Sequence, residues 1–248
     1  MTEESILRPD ALALVTGAGT GIGAAVAAGL IDRGCRVIAA GRRLERLREL
    51  AARLGERCFP LELDITSAAA TAGLLGRLPE DLKAIDILVN NAGHDVGGRR
   101  RYDHGAIDDF ASTVETGVIG TMRVTHAVAP GMVERGRGHI VNIGSVAGIQ
   151  AMPGGAAYIA AKHGVHGFSR ALRADYAGKG VRVSEILPGL TRTEFAEARL
   201  RGDKEKAAAF YENFDVVMEP EDVARAVLFA LEQPPHVTIA ELLVVPSG

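Results

Sequence analysis

Seven short runs rich in Val, Ile and Leu punctuate the 248-residue sequence, and helical spacing fills the stretches between them. The runs fall at 11–16, 35–40, 58–63, 85–89, 138–143, 181–187 and 239–244. Apolar residues near the 3.6-residue period predict helices over 21–33, 43–54, 67–77, 106–135, 156–178 and 221–232, with another helical segment at 194–213. Continuous apolar strands are buried on both faces, which helices on either side provide. The expected architecture is therefore an α/β, Rossmann-type doubly wound parallel sheet of about seven strands. No linker divides the chain and no solenoid-length repeat is visible, so residues 1–248 read as a single domain.

Composition narrows the function classes. Hydrophobic residues make up 47% of the chain, enough for a large core. A formal charge of −3 gives no general attraction to nucleic acid or anionic membranes. No apolar run approaches the length of a membrane-spanning helix. The opening MTEESILRPD lacks the basic flank and apolar core of a signal peptide. Cys35 and Cys58 lack a CxxC spacing and read as buried thiols in a reducing compartment. These features predict a cytoplasmic protein whose partner is a small molecule.

The first strand leads into TGAGTGIG, residues 16–23, and then into a helix. Glycines there allow a tight turn and let backbone N–H groups approach a phosphate at the helix N-terminus. Gly17, Gly19, Thr20, Gly21, Ile22 and Gly23 are thus candidate cofactor residues. The second strand settles which dinucleotide is expected. An NAD site places a carboxylate after it to bind the ribose 2′-hydroxyl. Here the sequence is Ala40-Gly41-Arg42-Arg43, with no acid. Two guanidiniums suit a 2′-phosphate, so NADP is expected over NAD.

Ser145 follows the fifth strand, and Tyr158 and Lys162 stand at i and i+4 in YIAAK, on one helix face. A free phenol, with a pKa near 10, is a poor proton donor or acceptor at neutral pH. An ammonium one turn away stabilises the phenolate, so Lys162 is expected to lower the Tyr158 pKa. Ser145 can then hold a substrate oxygen while Tyr158 moves its proton. No HExxH or convergent ligand set points to a metal, and Ile143 stands where a GxSxG hydrolase motif needs glycine.

Taken in this order, TGAGTGIG, Asp64 in LDIT, NNAG (90–93), Ser145, YIAAK (158–162) and PGLTRT (188–193) make the chain resemble the short-chain dehydrogenase/reductase family over its full length. The resemblance implies that Asp64 and Ile65 contact adenine, that Asn90 and Ala92 line the adenosine ribose and stabilise the central strands, and that Asn91 and Gly93 belong to the same cofactor site. It also implies that Lys162 binds the nicotinamide ribose, and that Pro188, Gly189, Thr191 and Thr193 frame the nicotinamide side. The stretches PGMVERGRGHIVNIGS, VRVSEILPGLTRTEF and PEDVARAVLFALEQPPHV are similar to bacterial NADP-dependent dehydrogenases acting on serine and small 3-hydroxy acids. The implied activity is alcohol–carbonyl interconversion on a small polar substrate. A 3-oxoacyl thioester reductase and a catalytically weak NADPH-binding regulator are the alternatives. The implied assembly is a homotetramer, or else a dimer, built on the 106–135 and 156–178 helices.

One position departs from the pattern. The family's relay asparagine, aligned on Gly120 in VETGVIG, is Gly117. The expectation is that the Gly117 carbonyl and a water, helped by Thr116, carry the relay instead. Around the substrate we expect His94, Gln150, Met152 and Arg192, with Arg192 or one of Arg99, Arg100 and Arg101 gripping an anion. The segment 194–214, rich in Phe and Tyr, is expected to close as a lid.

Overall fold

A computed structural model describes residues 5–247. Its centre is one parallel sheet built from β1 (Leu12–Thr16), β2 (Arg36–Gly41), β3 (Cys58–Glu62), β4 (Ile87–Asn90), β5 (Gly138–Ile143), β6 (Val181–Pro188) and β7 (Glu241–Val244). The strand order is β3-β2-β1-β4-β5-β6-β7. Every residue of β1, β4, β5 and β6 is buried, as the unbroken apolar runs require. The edge strands alternate instead: in β7 each second residue is exposed.

Helices cover both faces. They are α1 (Gly21–Asp32), α2 (Leu44–Leu54), α3 (Ala68–Ala72), α4 (Ile107–Val114), α5 (Thr121–Glu134), α6 (Ala156–Asp175), α7 (Phe195–Arg199), α8 (Lys204–Glu212) and α9 (Pro220–Glu232). One apolar core joins α1, α2 and α9 to the sheet through Val26, Leu30, Leu47, Val227 and Leu231. The other core packs Val124, Val128, Met132 and Leu172 of α5 and α6 on the opposite face. Helix α9 starts sharply because Glu219 and Asp222 form a reciprocal capping box around Pro220. Cys35 and Cys58 are buried free thiols, and burial pushes each pKa up to about 11.

Three expectations change. The helix predicted over 67–77 stops at Ala72 and gives way to a 3-10 turn at Leu75–Arg77. The single helix predicted over 106–135 is α4, a π-helical turn at Glu115–Gly120, and α5. The 194–213 segment is two short helices, α7 and α8, with Gly202 between them at φ +89°.

Strand order reverses between β1 and β4, because β2 and β3 extend to one side and β5 to β7 to the other. Loops leaving the strands' carboxyl ends diverge there and open a crevice.

Candidate functional site

The loops after β1, β2, β4, β5 and β6 converge on a cavity of about 680 Å³. Its floor is held by polar bonds between neighbouring strands. Thr16 Oγ1 accepts from the backbone N–H groups of Asn91 (3.0 Å) and Ala92 (3.1 Å). Asn91 Nδ2 donates to the carbonyls of Thr16 and Gly17, so its side chain fastens the β4 loop to the glycine turn. Gly17 needs its φ of +65°, and a Cβ there would lie 2.9 Å from the Ala92 Cα. Asn90 turns inward, donating to Thr125 Oγ1 and Asn142 Oδ1 at 2.9 Å each, and braces the core.

One end of the cavity has the properties of a phosphate site. Gly17, Gly19, Thr20, Gly21 and Ile22 line it; Gly23 is off the wall and packs against the Gly17 carbonyl and Asn91 Nδ2. Thr20 makes no side-chain cap on α1, and the first turn carries no acid, so the helix N-terminus is left to an anion. Arg42 lines this end without a hydrogen-bond or ion-pair partner among the described residues. Arg43 reaches Thr20 Oγ1 (3.3 Å) and Glu194 (3.0 Å). A glycine cradle with an unpaired guanidinium beside it fits a phosphorylated dinucleotide. Asp64, whose carboxyl is held low by Thr66, lies on the same wall with Ile65, Ala92 and Gly93.

At the other end stand Ser145, Tyr158 and Lys162. Ser145 caps a 3-10 turn, its Oγ accepting from Ala147 N–H at 3.1 Å. Helix α6 presents Tyr158 and Lys162 together, with the ammonium 5.8 Å from the phenol ring centre. Lys162 Nζ donates to the Ile143 carbonyl at 2.8 Å. Desolvation lowers its pKa to about 8, opposed by the Glu185 carboxylate. The expected lowering of the phenol pKa by Lys162 does not hold. Burial raises the Tyr158 pKa, and the opposing effects come from a Ser145 hydrogen bond and the Arg199 charge.

The substrate-facing residues divide. His94 and Met152 line the cavity, together with Pro188, Gly189, Thr191 and Thr193. His94 Nε2 meets Thr116 Oγ1 at 3.0 Å, and its buried Nδ1 has no partner among the described residues. Gln150 is exposed and off the cavity wall. Arg192 is also off it: its Nε donates to Glu219 Oε1 at 3.1 Å and its guanidinium stacks on Tyr211. Of the arginine triplet, only Arg99 reaches the cavity, and Arg101 pairs with Asp103.

Helices α7 and α8 roof the site. Tyr211 OH ties the loop after β6 by bonding the backbone of Thr191 and Thr193. Phe195 sets its ring edge-on to Tyr158, with centroids 5.5 Å apart. Arg199, which the sequence reading missed, pairs with Asp95 through Nε at 2.9 Å. Its signal was present in FAEAR: Phe195 and Arg199 are four apart and share a helix face.

The comparisons agree with this geometry. The family model described as short chain dehydrogenase matches residues 11–204. The NADP-dependent 3-hydroxy acid dehydrogenase YdfG of Escherichia coli (strain K12) is 43% identical over 236 residues, covering 95% of this chain and 94% of that protein. The NADP-dependent 3-hydroxy acid dehydrogenase of Schizosaccharomyces pombe (strain 972 / ATCC 24843) is 37% identical over 239 residues, covering 94% and 92%. Among solved structures, the closed form of a serine dehydrogenase complexed with NADP+ superposes with a TM-score of 0.91, at 43% identity and 94% coverage of both chains. With the glycine turn, the reversed strand order and the Ser–Tyr–Lys cluster all in one cavity, the chain belongs to the short chain dehydrogenase family.

Proposed function

We propose that this protein is an NADP(H)-dependent oxidoreductase that interconverts a secondary alcohol and a carbonyl on a small, hydroxy acid-like substrate. The observation that carries it is the shared cavity: a phosphate cradle with Arg42 and Arg43 at one end, and Ser145, Tyr158 and Lys162 at the other. Gly17, Gly19, Thr20, Gly21 and Ile22 would hold the pyrophosphate, and Arg42 and Arg43 the 2′-phosphate. Bound NADP(H) supplies or accepts the hydride. Ser145 Oγ orients the substrate oxygen and Tyr158 gives or takes its proton. Lys162 Nζ, held by the Ile143 carbonyl, would bind the nicotinamide ribose, while Ser145 and the Arg199 charge oppose the burial that raises the phenol's pKa. Helices α7 and α8 act as the lid and exclude water.

The relatives named for 3-hydroxy acids and serine support the substrate class. A panel of short 3-hydroxy acids, serine and neutral alcohols, assayed with NADP+ and with NAD+, tests this. Turnover of an acid with NADP+ well above NAD+ is expected. A preference for NAD+, or no hydroxy acid turned over, sinks the reading.

No helix among the described residues is long and apolar enough to cross a membrane. A cytoplasmic location and a homo-oligomer, tetramer before dimer, belong to the same proposal. Exposed Met122 on α5, Phe229 on α9 and Leu243 on β7 support assembly, because such apolar area gains from cover. Light scattering in solution should give four chains, or else two; a monomer contradicts it.

A further inference from the structure

We propose that Arg199 is the receptor for the substrate's carboxylate and that Asp95 holds it in place over the reaction centre. The inference rests on the hydroxy acid reading above and names the side chain that selects the acid. Arg199 ends α7 and lines the cavity with Ser145 and Tyr158. Its guanidinium lies 5.2 Å from the Phe195 ring centre and 5.8 Å from that of Phe210, so two aromatic faces fix its position. Phe195 is the ring that touches Tyr158. The charge therefore sits one side chain away from the phenol, and both Arg199 and Asp95 act electrostatically on Tyr158.

The manner of pairing leaves Arg199 with capacity to bind. Both partners are nearly buried, at 12% and 8% side-chain exposure. A buried arginine and carboxylate commonly meet fork to fork, which uses two N–H groups and saturates both charges. Here the contact is Nε to Asp95 Oδ2 at 2.9 Å, an ion pair without hydrogen-bond geometry. Nε is itself left without a hydrogen-bond acceptor, and so, among the described residues, are the two terminal nitrogens. They form a planar pair suited to the two oxygens of a carboxylate. Competing cations are occupied or distant: Arg192 on Glu219, Arg43 on Glu194, and Arg42 at the phosphate end. Arg99 lines the cavity and its charge also reaches Tyr158, but it is exposed, so water screens it more than the nearly buried Arg199.

Asp95 acts through Arg199 as a positioning residue. It also couples recognition to closure, since Asp95 belongs to the loop after β4 and Arg199 to the roof. A carboxylate bound by Arg199 therefore joins the two sides of the cavity. The class selected is a short hydroxy acid or oxo acid with its carboxylate a few bonds from the reacting carbon.

The test uses the full-length protein, Arg199→Gln and Arg199→Lys, with two readouts. The first is kcat/KM for a short 3-hydroxy acid and for its neutral primary amide, with NADP+. Arg199→Gln should cut the ratio of the acid's value to the amide's by about 100-fold, chiefly through the acid's KM. The ratio cancels any effect of the lost charge on Tyr158 that both substrates share. Arg199→Lys should restore part of the preference for the acid. The second readout is equilibrium binding of propanoate, which cannot react, to the NADPH complex, followed by nicotinamide fluorescence. NADPH affinity itself serves as the check that each variant is folded. Propanoate should bind the native protein and be lost in Arg199→Gln. If propanoate binding needs Arg199 but no hydroxy acid is turned over, the carboxylate receptor stands and the proposed reaction falls. Equal losses for acid and amide, or propanoate binding unchanged in Arg199→Gln, overturn the inference.

Discussion

At the residue scale, Gly117 stands where the resemblance to the family implies a relay asparagine. No side chain replaces the relay asparagine, and the structure shows how its neighbourhood is arranged. Thr121 Oγ1 donates to the Gly117 carbonyl at 2.9 Å. That uses one of the carbonyl's two lone pairs, and a water on the other would complete the expected relay. Thr116 shares its hydroxyl with His94 beside the same turn. A Cβ at Gly117 would lie 3.4 Å from the Ala161 Cβ, so the first carbon of a side chain meets no clash there. If the backbone carbonyl already carries the relay, Gly117→Asn should change kcat by less than about tenfold, or ~1.4 kcal/mol in the barrier. Steady-state kinetics with NADP+ and a hydroxy acid decides it. A gain of about 100-fold or more would mean that the native relay is broken.

At the element scale, the strands and most helices were legible in the sequence because their apolar periods are strong and their neighbours supply continuous burial. Strands β1, β2, β5 and β6 lie within a residue or so of the predicted runs, since each is buried on both faces. The failures have physical causes. Apolar spacing carries through Glu115–Gly120 without a break, so period alone cannot distinguish a π-helical turn from the α-helices on either side. The two glycines were the only local sign of it. Ser145, Tyr158 and Lys162 could be named from motif and spacing, and the fold brings them to one cavity. The rest of that cavity depends on tertiary placement. Arg192 was chosen because it follows Pro188 and Gly189 within PGLTRT, yet its partner Glu219 is 27 residues away. Arg199 meets Asp95 only after α7 folds back across the β4 loop, and no local pattern reports that contact. The Lys162 effect on Tyr158 was overestimated for a related reason: sequence gives the spacing of two charges but not their desolvation.

At the scale of the whole molecule, the buried polar groups of the sheet tie folding to pH. His139 is fully buried on β5 and bonds Ser184 Oγ on β6 at 2.8 Å. Burial holds its pKa well below the usual imidazole range, with the Arg182 charge adding to the effect. Below pH ~6.5 the unfolded imidazole takes up a proton that the folded one refuses. The unfolded state then binds more protons, so stability falls as pH drops from ~6.5 toward the folded pKa, with a limiting slope of ~1.4 kcal/mol per pH unit. His139→Gln keeps a polar partner for Ser184 and cannot titrate. Urea midpoints measured across this range should fall less steeply for the variant; parallel slopes would exclude His139 as the cause. The same sheet carries the cavity, whose proposed chemistry depends on the phenol of α6. The decisive measurement pairs turnover and NADPH binding in Tyr158→Phe. Loss of about 1000-fold or more in kcat with NADPH affinity within about threefold of native is the predicted result. Turnover retained in Tyr158→Phe would contradict the proposed chemistry.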